Sequence, residues 1–218
     1  MAKRRLHRDP LRLHYNHPVM RFSRFAFPWA LSLMLLMGGL LQAAVPPPPM
    51  AGNSHARVHV IIFEDLECPS CAQWHQKLIS QFLPQFGHSV AFQFHDFPLP
   101  QHTWSFNAAV VSRFFAVRRP ELYFPWRTYC FAHQDQITPD NLIDKAAQFA
   151  ASSGISRAEI ESAFGQMDLF QAVETDRALG EKWNVQHTPT IYVEGRQKVE
   201  VSTPEQFVAA VKAALAEK

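Results

Sequence analysis

The sequence is organised around residues 58–82, VHVIIFEDLECPSCAQWHQKLISQF. The first residues of this stretch are β-branched and apolar, a pattern that predicts a buried strand. Cys68 and Cys71 follow at Cys-x-x-Cys spacing, and Pro69 suits the first turn of a helix, where its missing N–H group needs no partner. Apolar residues then keep helical spacing, and Pro84 predicts the end of the helix. The sequence therefore predicts a dithiol at a strand-to-helix junction, with Cys68 at the helix N-terminus.

This position favours a reactive thiol at Cys68. Unpaired N–H groups and the helix dipole stabilise an anion at a helix N-terminus, so the thiolate form is favoured there. Cys71, one turn further on, is expected to be the resolving thiol. The two other interpretations of the pair are a zinc half-site and a structural disulfide. A tetrahedral zinc site needs four ligands, and the sequence has no second cysteine pair, although His75 lies on the same predicted helix. Redox chemistry is the better interpretation.

The charge distribution separates a basic N-terminal segment from the rest of the chain. The 218 residues carry a formal net charge of +2. Residues 1–44 contain seven Lys and Arg residues and one Asp, which gives +6, so the rest of the chain carries −4. An apolar fraction of 47 % excludes a disordered chain, and the mildly acidic body gives no indication of nucleic-acid binding. We therefore assign the basic residues to targeting.

Residues 25–41 form an uncharged, apolar run behind this basic segment. The pattern is typical of a signal peptide, although the 17 residues of the run also reach the lower limit for a membrane-spanning helix. We expect residues 1–44 to be a signal peptide or an N-terminal membrane anchor, and either would export the rest of the chain. Four consecutive prolines predict a stiff linker at residues 45–54, followed by a folded domain at residues 55–218.

The folded domain is predicted to be of the α/β class. Residues 90–97 alternate apolar and polar side chains like a strand, and the order strand, helix, strand implies a parallel pair. Helix-forming sequence follows over about residues 103–182. Within it, Thr138 is expected to cap one helix, and a capping box at residues 156–159 is expected to begin another.

The sheet is predicted to resume at residues 190–193. Gly195 suits a hairpin turn into a further strand at residues 198–201. A second capping box at residues 203–206 then predicts the terminal helix. Two strands therefore flank about eighty residues of helical sequence, which indicates an inserted helical subdomain.

Three motifs in combination carry a closer resemblance: FEDLECPSCAQWH, DFPLPQH and VQHTPTIYVEG. With the long helical segment between the second and the third, the chain resembles the DsbA-like thioredoxin-fold family of bacterial disulfide oxidoreductases, and in particular its membrane-tethered branch. The resemblance covers about residues 55–216. It implies a thioredoxin-like fold with an inserted helical subdomain.

The resemblance also implies roles for individual residues. Cys68 is expected to form the mixed disulfide with a substrate, and Cys71 is expected to resolve it. Pro189 matches the cis-proline that faces the dithiol in this family, and Thr188 beside it would offer backbone groups to an extended substrate peptide by strand addition. No cofactor and no metal are expected.

One position departs from the family pattern. The family commonly has a buried acid six residues before the nucleophile, where this chain has Ile62. Glu64, Asp65 and Glu67 lie nearby and are expected to be solvated loop charges. The proton of Cys71 is expected to pass either to water at the helix N-terminus or, through water, to Glu64, which is the supporting candidate.

The residues between the cysteines, Pro69 and Ser70, are two further supporting candidates. They lack the histidine that strongly oxidising relatives carry at this place, which suggests a less extreme oxidant. The third cysteine, Cys130, falls among aromatic residues and is expected to be a small buried apolar side chain.

The predicted function is an exported thiol–disulfide oxidoreductase that oxidises cysteines of folding proteins. Its expected partners are cysteine-containing unfolded or folding proteins and a membrane redox partner that regenerates the dithiol or disulfide, with no nucleic acid. The alternatives are a disulfide isomerase or reductase kept reduced by a membrane partner, a non-catalytic peptide-binding module or chaperone, and a metal chaperone. The direction of electron flow depends on how strongly the Cys68 thiolate is stabilised, which the sequence does not fix.

Overall fold

The computed structural model describes residues 45–195 and 198–217. The predicted signal peptide or membrane anchor at residues 1–44 lies outside these ranges. Within them, no helix combines the length and the hydropathy that a membrane span needs.

The described chain forms a sheet of five strands. The strands are β1 (Ala51–Gly52), β2 (Val58–Glu64), β3 (Val90–Asp96), β4 (Thr190–Glu194) and β5 (Lys198–Val201). They lie in the order β1-β3-β2-β4-β5. The pair β2–β3 is parallel, which confirms the pairing predicted from the strand–helix–strand order, and the other three pairs are antiparallel.

Strand β1 lies inside the segment predicted to be a linker. Ala51 and Gly52 pair with Phe92 and Ala91 of β3, so the sheet begins before the predicted domain boundary at residue 55. Gly52 has a φ of +78°, and a Cβ atom there would collide with the carbonyl oxygen of Val90. A strand of two residues, one of them a glycine needed for close approach, has too little side-chain pattern to be predicted.

The helix that follows the cysteines is longer than predicted. Helix α1 (Pro69–Lys77) continues through a π-helical turn (Leu78–Phe82) into α2 (Leu83–Phe86), so the predicted stop at Pro84 is wrong. The N–H group of Leu83 donates to the carbonyl of Leu78 across the wider π turn. Pro84 thus occupies the first turn of a new α-helical segment, where no N–H group is needed.

The inserted subdomain lies between β3 and β4 and is helical. It contains α3 (Ser105–Arg118), α4 (Tyr123–Ala132), α5 (Leu142–Ala150), α6 (Arg157–Ala163) and α7 (Met167–Lys182), with short 3-10 turns at Pro120–Leu122 and Ala151–Ser153. The chain ends in α8 (Pro204–Ala216), which packs against β4 and β5.

Two of the three predicted helix caps differ from the structure. Thr138 does not begin a helix: the amide group of Thr138 donates to the side chain of Asn141 in a turn, and α5 starts only at Leu142. The capping box of Ser156 and Glu159 at the start of α6 is confirmed.

The third predicted cap, at the start of α8, is half formed. Thr203 accepts from the N–H of Gln206, as a capping box requires. The Gln206 side chain, however, accepts from the N–H of Ser202 at 2.9 Å, one residue before the cap position. The first turn of α8 is therefore tied to the preceding loop.

Strand β2 is buried on both faces, which explains its nearly continuous apolar sequence. One face carries Val58, Val60 and Ile62 and packs with aromatic side chains of α1, the π turn, α2 and α8. The opposite face carries Ile61 and Phe63. A separate apolar cluster fills the helical subdomain and reaches the two cysteines of the Cys-x-x-Cys pair. The active-site candidate therefore lies where the sheet meets the inserted helices.

Candidate active site

Cys68 occupies the N-cap position of α1, with Pro69 at the start of the helix, as the sequence predicts. The Cys68 side chain is 7 % exposed and Cys71 is fully buried, so an incoming group can reach only the first thiol. In the thiol form, Cys68 Sγ donates to the carbonyl oxygen of Thr188 at 3.3 Å, across 120 residues of sequence. The Thr188–Pro189 peptide bond is cis, as the resemblance implies.

The two thiols have opposite acidities. The pKa of Cys68 is lowered to about 5, mainly because the Cys71 thiol donates to its sulfur, with further stabilisation from the backbone N–H groups of Cys71 and Ser70, while burial opposes the shift. The pKa of Cys71 is raised well above its ordinary value, because burial, the neighbouring Cys68 sulfur and the charge of Glu64 disfavour a second anion. At neutral pH the pair therefore holds one thiolate and one thiol.

The expectation that the acids before Cys68 are solvated is wrong for Glu64 and Asp65, each of which is 1 % exposed. Glu64 Oε1 accepts from Arg127 Nε at 3.0 Å and from Arg127 Nη2 at 2.8 Å. Its other oxygen, Oε2, is buried with no hydrogen-bond partner among the described residues. Burial raises the pKa of Glu64 despite the charge of Arg127, and the nearby carboxylates Asp96 and Asp65 raise it further.

Asp65 and Glu67 fasten the loop to the start of the helical subdomain. Asp65 Oδ2 accepts from His102 Nδ1 at 2.6 Å and from the backbone N–H of Leu99 at 2.7 Å. Glu67 Oε2 accepts from the backbone N–H of Trp104 at 2.8 Å, at the N-terminus of α3. A carboxylate at this end of a helix is stabilised by unpaired N–H groups and the helix dipole. These two acids are structural anchors of the loop that carries Cys68.

The Glu64–Arg127 pair belongs to a larger buried charge cluster. The cluster consists of Glu64, Asp96, Arg113, Arg127 and Asp176. Arg127 Nη1 donates to Asp96 Oδ1 at 2.6 Å, and Arg113 Nε donates to Asp96 Oδ2 at 2.8 Å. Burial alone would raise the pKa of Asp96, but the two arginine charges hold it below its usual value. The cluster joins the carboxyl ends of β2 and β3 to α3, α4 and α7.

A groove of about 430 Å³ lies beside the two cysteines. Its walls come from α1, the loop before β4, strands β4 and β5, and the start of α8. It is lined by Ser70, Gln73, Trp74, Lys77, His187, Thr188, Pro189, Ile191, Val201, Ser202 and Pro204. The sequence-predicted residues Ser70, Thr188 and Pro189 therefore share one groove, whereas Pro69 is exposed and does not line it.

The histidines near the cysteines have structural partners. His75 is buried, its Nε2 lies 2.8 Å from Thr128 Oγ1, and burial lowers its pKa to about 4. His95 pairs with Asp176. Within residues 45–195 and 198–217, no group of three or more His, Cys, Asp and Glu side chains is placed to hold a metal ion.

Cys130 is fully buried in the apolar cluster of the helical subdomain, as predicted. Burial raises its pKa well above the ordinary value for a thiol. It is therefore a poor nucleophile at neutral pH.

Sequence reasoning missed the basic half of the charge cluster, Arg113 and Arg127. Arg127 stands in the aromatic run YFPWRTYC of a predicted apolar helix. Because arginine is almost never fully buried without a partner, a charged residue on such a face could have indicated a buried ion pair. The identity of its partners, 63 and 31 residues away, is not visible in the sequence.

A family model described as Thioredoxin matches residues 44–213. The chain belongs to the thioredoxin family. This family match spans the whole sheet, the helical subdomain and the cysteine pair.

Within the thioredoxin family, the chain is similar to proteins of known name. It is 26 % identical to disulfide bond formation protein D of Bacillus subtilis over 158 residues, which covers 70 % of each chain. It is 27 % identical to thiol:disulfide interchange protein DsbA of Bordetella parapertussis over 157 residues, covering 68 % of this chain and 69 % of that protein. The crystal structure of oxidised BdbD from Bacillus subtilis matches with a TM-score of 0.69 at 22 % identity, over 80 % of this chain and 98 % of that structure. This structural likeness confirms the predicted thioredoxin-like fold.

The opposite acidities of the thiols predict selective alkylation. In the reduced protein, the iodoacetamide reaction rate of Cys68 should follow thiolate formation and reach half its maximum near pH 5. Cys71 and Cys130 should react slowly up to neutral pH, because their thiols are buried and their pKa values are raised. Mass spectrometry of quenched time points assigns the rate to each cysteine. A Cys68 rate that titrates near ~8.5, or faster labelling of Cys130, would contradict the site as described.

Proposed function

We propose that this chain is an exported thiol–disulfide oxidoreductase that uses a Cys68–Cys71 disulfide to oxidise cysteines of folding proteins. The observation that carries the proposal is the placement of Cys68 at the N-terminus of α1, in contact with Thr188 beside the cis-proline, with Cys71 fully buried next to it. This geometry lowers the pKa of Cys68 and raises that of Cys71. A stabilised Cys68 thiolate stabilises the reduced form of the pair, which makes the disulfide form a better oxidant. The names of the two relatives, a disulfide bond formation protein and a thiol:disulfide interchange protein, agree with this chemistry.

The proposed reaction exchanges one disulfide for another. A substrate thiolate attacks Cys68 Sγ, the Cys68–Cys71 bond breaks, and Cys71 leaves with the electron pair. A second substrate thiolate then attacks the substrate sulfur of this mixed disulfide, and Cys68 leaves as a thiolate. The substrate loses two electrons and gains a disulfide, while the Cys68–Cys71 pair gains the two electrons. The exposure of Cys68 and the burial of Cys71 restrict the first attack to Cys68.

Glu64 is the proposed proton carrier for Cys71. When Cys71 leaves as a thiolate, its raised pKa requires a proton, and Glu64 is a buried acid whose raised pKa allows it to hold one. In the reverse step, when the pair is reoxidised, Glu64 would accept the Cys71 proton. Its Oε2 atom, unpartnered among the described residues, is the atom free for this transfer. Proton transfer by such a group typically contributes ~10²–10⁴-fold to a rate.

The groove beside the cysteines is the proposed substrate-binding surface. Thr188 is already in contact with Cys68 through its carbonyl oxygen. Its backbone could pair with an extended peptide by strand addition, with side chains of the peptide lying against Trp74 and Pro189. This arrangement would place a substrate cysteine next to Cys68.

Export and recycling complete the proposal. The basic, apolar N-terminal sequence at residues 1–44 supports a signal peptide or an anchor in the inner membrane, and a periplasmic or other extracytoplasmic site, where disulfides persist. A membrane redox partner would reoxidise the reduced pair. The proline-rich sequence at 46–49 would hold the folded domain away from the membrane if the anchor is retained.

The reduction potential and its pH dependence test the oxidising direction. With one thiolate and one thiol in the reduced state, the potential should change by ~30 mV per pH unit above about pH 5, and by ~59 mV per unit below it. Its value should be above ~−200 mV, and the oxidised protein should introduce disulfides into a reduced, unfolded protein. Equilibration with glutathione redox buffers at several pH values measures the reduction potential and its pH dependence. A potential near ~−270 mV would favour a reductase instead. A peptide-binding module would be favoured if the wild-type protein does not oxidise the substrate and a variant lacking both cysteines still binds it.

The proposed role of Glu64 predicts a selective kinetic defect. Glu64→Gln keeps the shape of the side chain but cannot exchange a proton, so the reaction of Cys71 with the mixed disulfide should slow by ~10-fold or more. Alkylation of Cys68 should keep its wild-type pH dependence, and Glu121→Gln, an exposed change, serves as the matched control. Stopped-flow kinetics of mixed-disulfide resolution would measure the effect. Equal resolution rates in Glu64→Gln and the wild type would exclude Glu64 as the proton carrier.

A further inference from the structure

The loop Glu64–Cys68 is attached to the helical subdomain at every residue. Three attachments use the carboxylates of Glu64, Asp65 and Glu67 described above. The other two use backbone carbonyl groups and a single neutral side chain. Gln134 Nε2 donates to the carbonyl oxygen of Leu66 at 2.9 Å and to that of Cys68 at 3.0 Å. Because both oxygens can only accept, the amide nitrogen must face the loop.

The Cys68 carbonyl is shared between two donors. It accepts the first hydrogen bond of α1 from the N–H of Ala72 at 3.1 Å and a second bond from Gln134. The position of this carbonyl fixes the orientation of the N-cap residue, and with it the direction in which Sγ leaves the helix end. The Leu66 carbonyl lies outside α1, so its contact with Gln134 fixes the path by which the loop enters the helix.

Gln134 is itself held rigidly. It follows α4 in a tight turn in which the N–H groups of Gln136 and Ile137 both donate to the carbonyl of His133, at 2.9 Å and 3.1 Å. Ile137 is 3 % exposed and anchors this turn in the apolar cluster. The side-chain amide of Gln134 therefore contacts the Glu64–Cys68 loop from a turn that hydrogen bonds and the buried Ile137 hold in place.

We infer that Gln134 is a positioning residue for the thiol chemistry of Cys68, which it orients through the Leu66 and Cys68 carbonyls. The inference rests on the proposed function and extends it to a residue outside the cysteine pair and the cis-proline. The Gln134 amide donates to a carbonyl oxygen on each side of Glu67, and without it the Cys68 carbonyl would keep only the bond from the N–H of Ala72. The orientation of Cys68 toward the N–H groups that stabilise its thiolate would then be less well fixed. Loss of this donor should make the Cys68 thiolate less stable, whereas a purely structural contact would change only the stability of the fold.

Two variants of Gln134 separate these outcomes. Gln134→Glu keeps the shape but replaces the donor with a carboxylate that faces the carbonyl oxygens of Leu66 and Cys68. It should raise the pKa of Cys68 by about one unit, so that alkylation at about pH 5.5, above the ordinary glutamate pKa of ~4.3, slows about threefold. The reduction potential should fall by ~30 mV, the value that corresponds to a tenfold change for a two-electron couple. Gln134→Leu, which removes the donor without adding charge, should shift both quantities in the same direction by a smaller amount.

Gln136→Glu is the matched control, because it introduces the same charge on an exposed side chain of the same turn. It should leave the Cys68 titration and the potential at their wild-type values. The inference is overturned if Gln134→Glu and Gln136→Glu shift the Cys68 titration equally, or if both Gln134 variants lower the melting temperature while keeping the wild-type titration. A wild-type protein that itself shows neither an acidic Cys68 nor oxidation of a reduced substrate would instead overturn the proposed function.

Discussion

Arg127 lies between two carboxylates that the sheet forces together. Glu64 and Asp96 are directly paired in the parallel register of β2 and β3, at the ends of the strands, and both are buried. Two buried carboxylates side by side would repel each other strongly in the low-dielectric interior. The guanidinium group of Arg127 contacts both, and Arg113 ties Asp96 to Asp176 on α7. Because removing one partner of a buried pair leaves an uncompensated charge, the helical subdomain and the sheet are held in one relative position.

That fixed position gives the cysteines their separate properties. The loop after β2 leads directly into α1, so Cys68 lies beside the N–H groups of the first helical turn, while Cys71 packs in the apolar cluster of the helical subdomain. The N–H of Asp65 donates to Cys71 Sγ at 3.4 Å, yet burial and the charge of Glu64 still keep this thiol protonated. Within the described part of the chain, Oε2 of Glu64 has no hydrogen-bond partner, because Arg127 contacts only Oε1. The ion-pair cluster thus supports the fold, and it leaves Oε2 of Glu64 with the lone pairs that the proposed proton carrier needs.

The sequence predicts the parts of this site that depend on local pattern. The strand–cysteine–helix junction, the parallel strand pair and the burial of Cys130 all follow from periodicity, Pro69 and apolar neighbours. The prediction of solvated loop acids was wrong for Glu64 and Asp65, because their hydrogen-bond partners Leu99, His102 and Arg127 lie 34 to 63 residues away and are brought close only by tertiary packing. Local rules also failed at two places. At Pro84, a π turn precedes the proline and a new α-helical segment begins at Leu83. At Ala51–Gly52, two residues form the edge strand of the sheet. Gln134 has no local signal, since its two acceptors are backbone groups.

The central claim is that Cys68 alone forms mixed disulfides with other proteins, whereas Cys71 forms and breaks a disulfide only with Cys68. A Cys71→Ser variant, expressed with its native N-terminal segment in a bacterium and quenched in acid, tests this claim most directly. Non-reducing isolation followed by mass spectrometry should find proteins joined to the chain through Cys68, and these adducts should be absent from a Cys68→Ser variant. Adducts joined through Cys130, or equal amounts of adduct in both variants, would contradict the account.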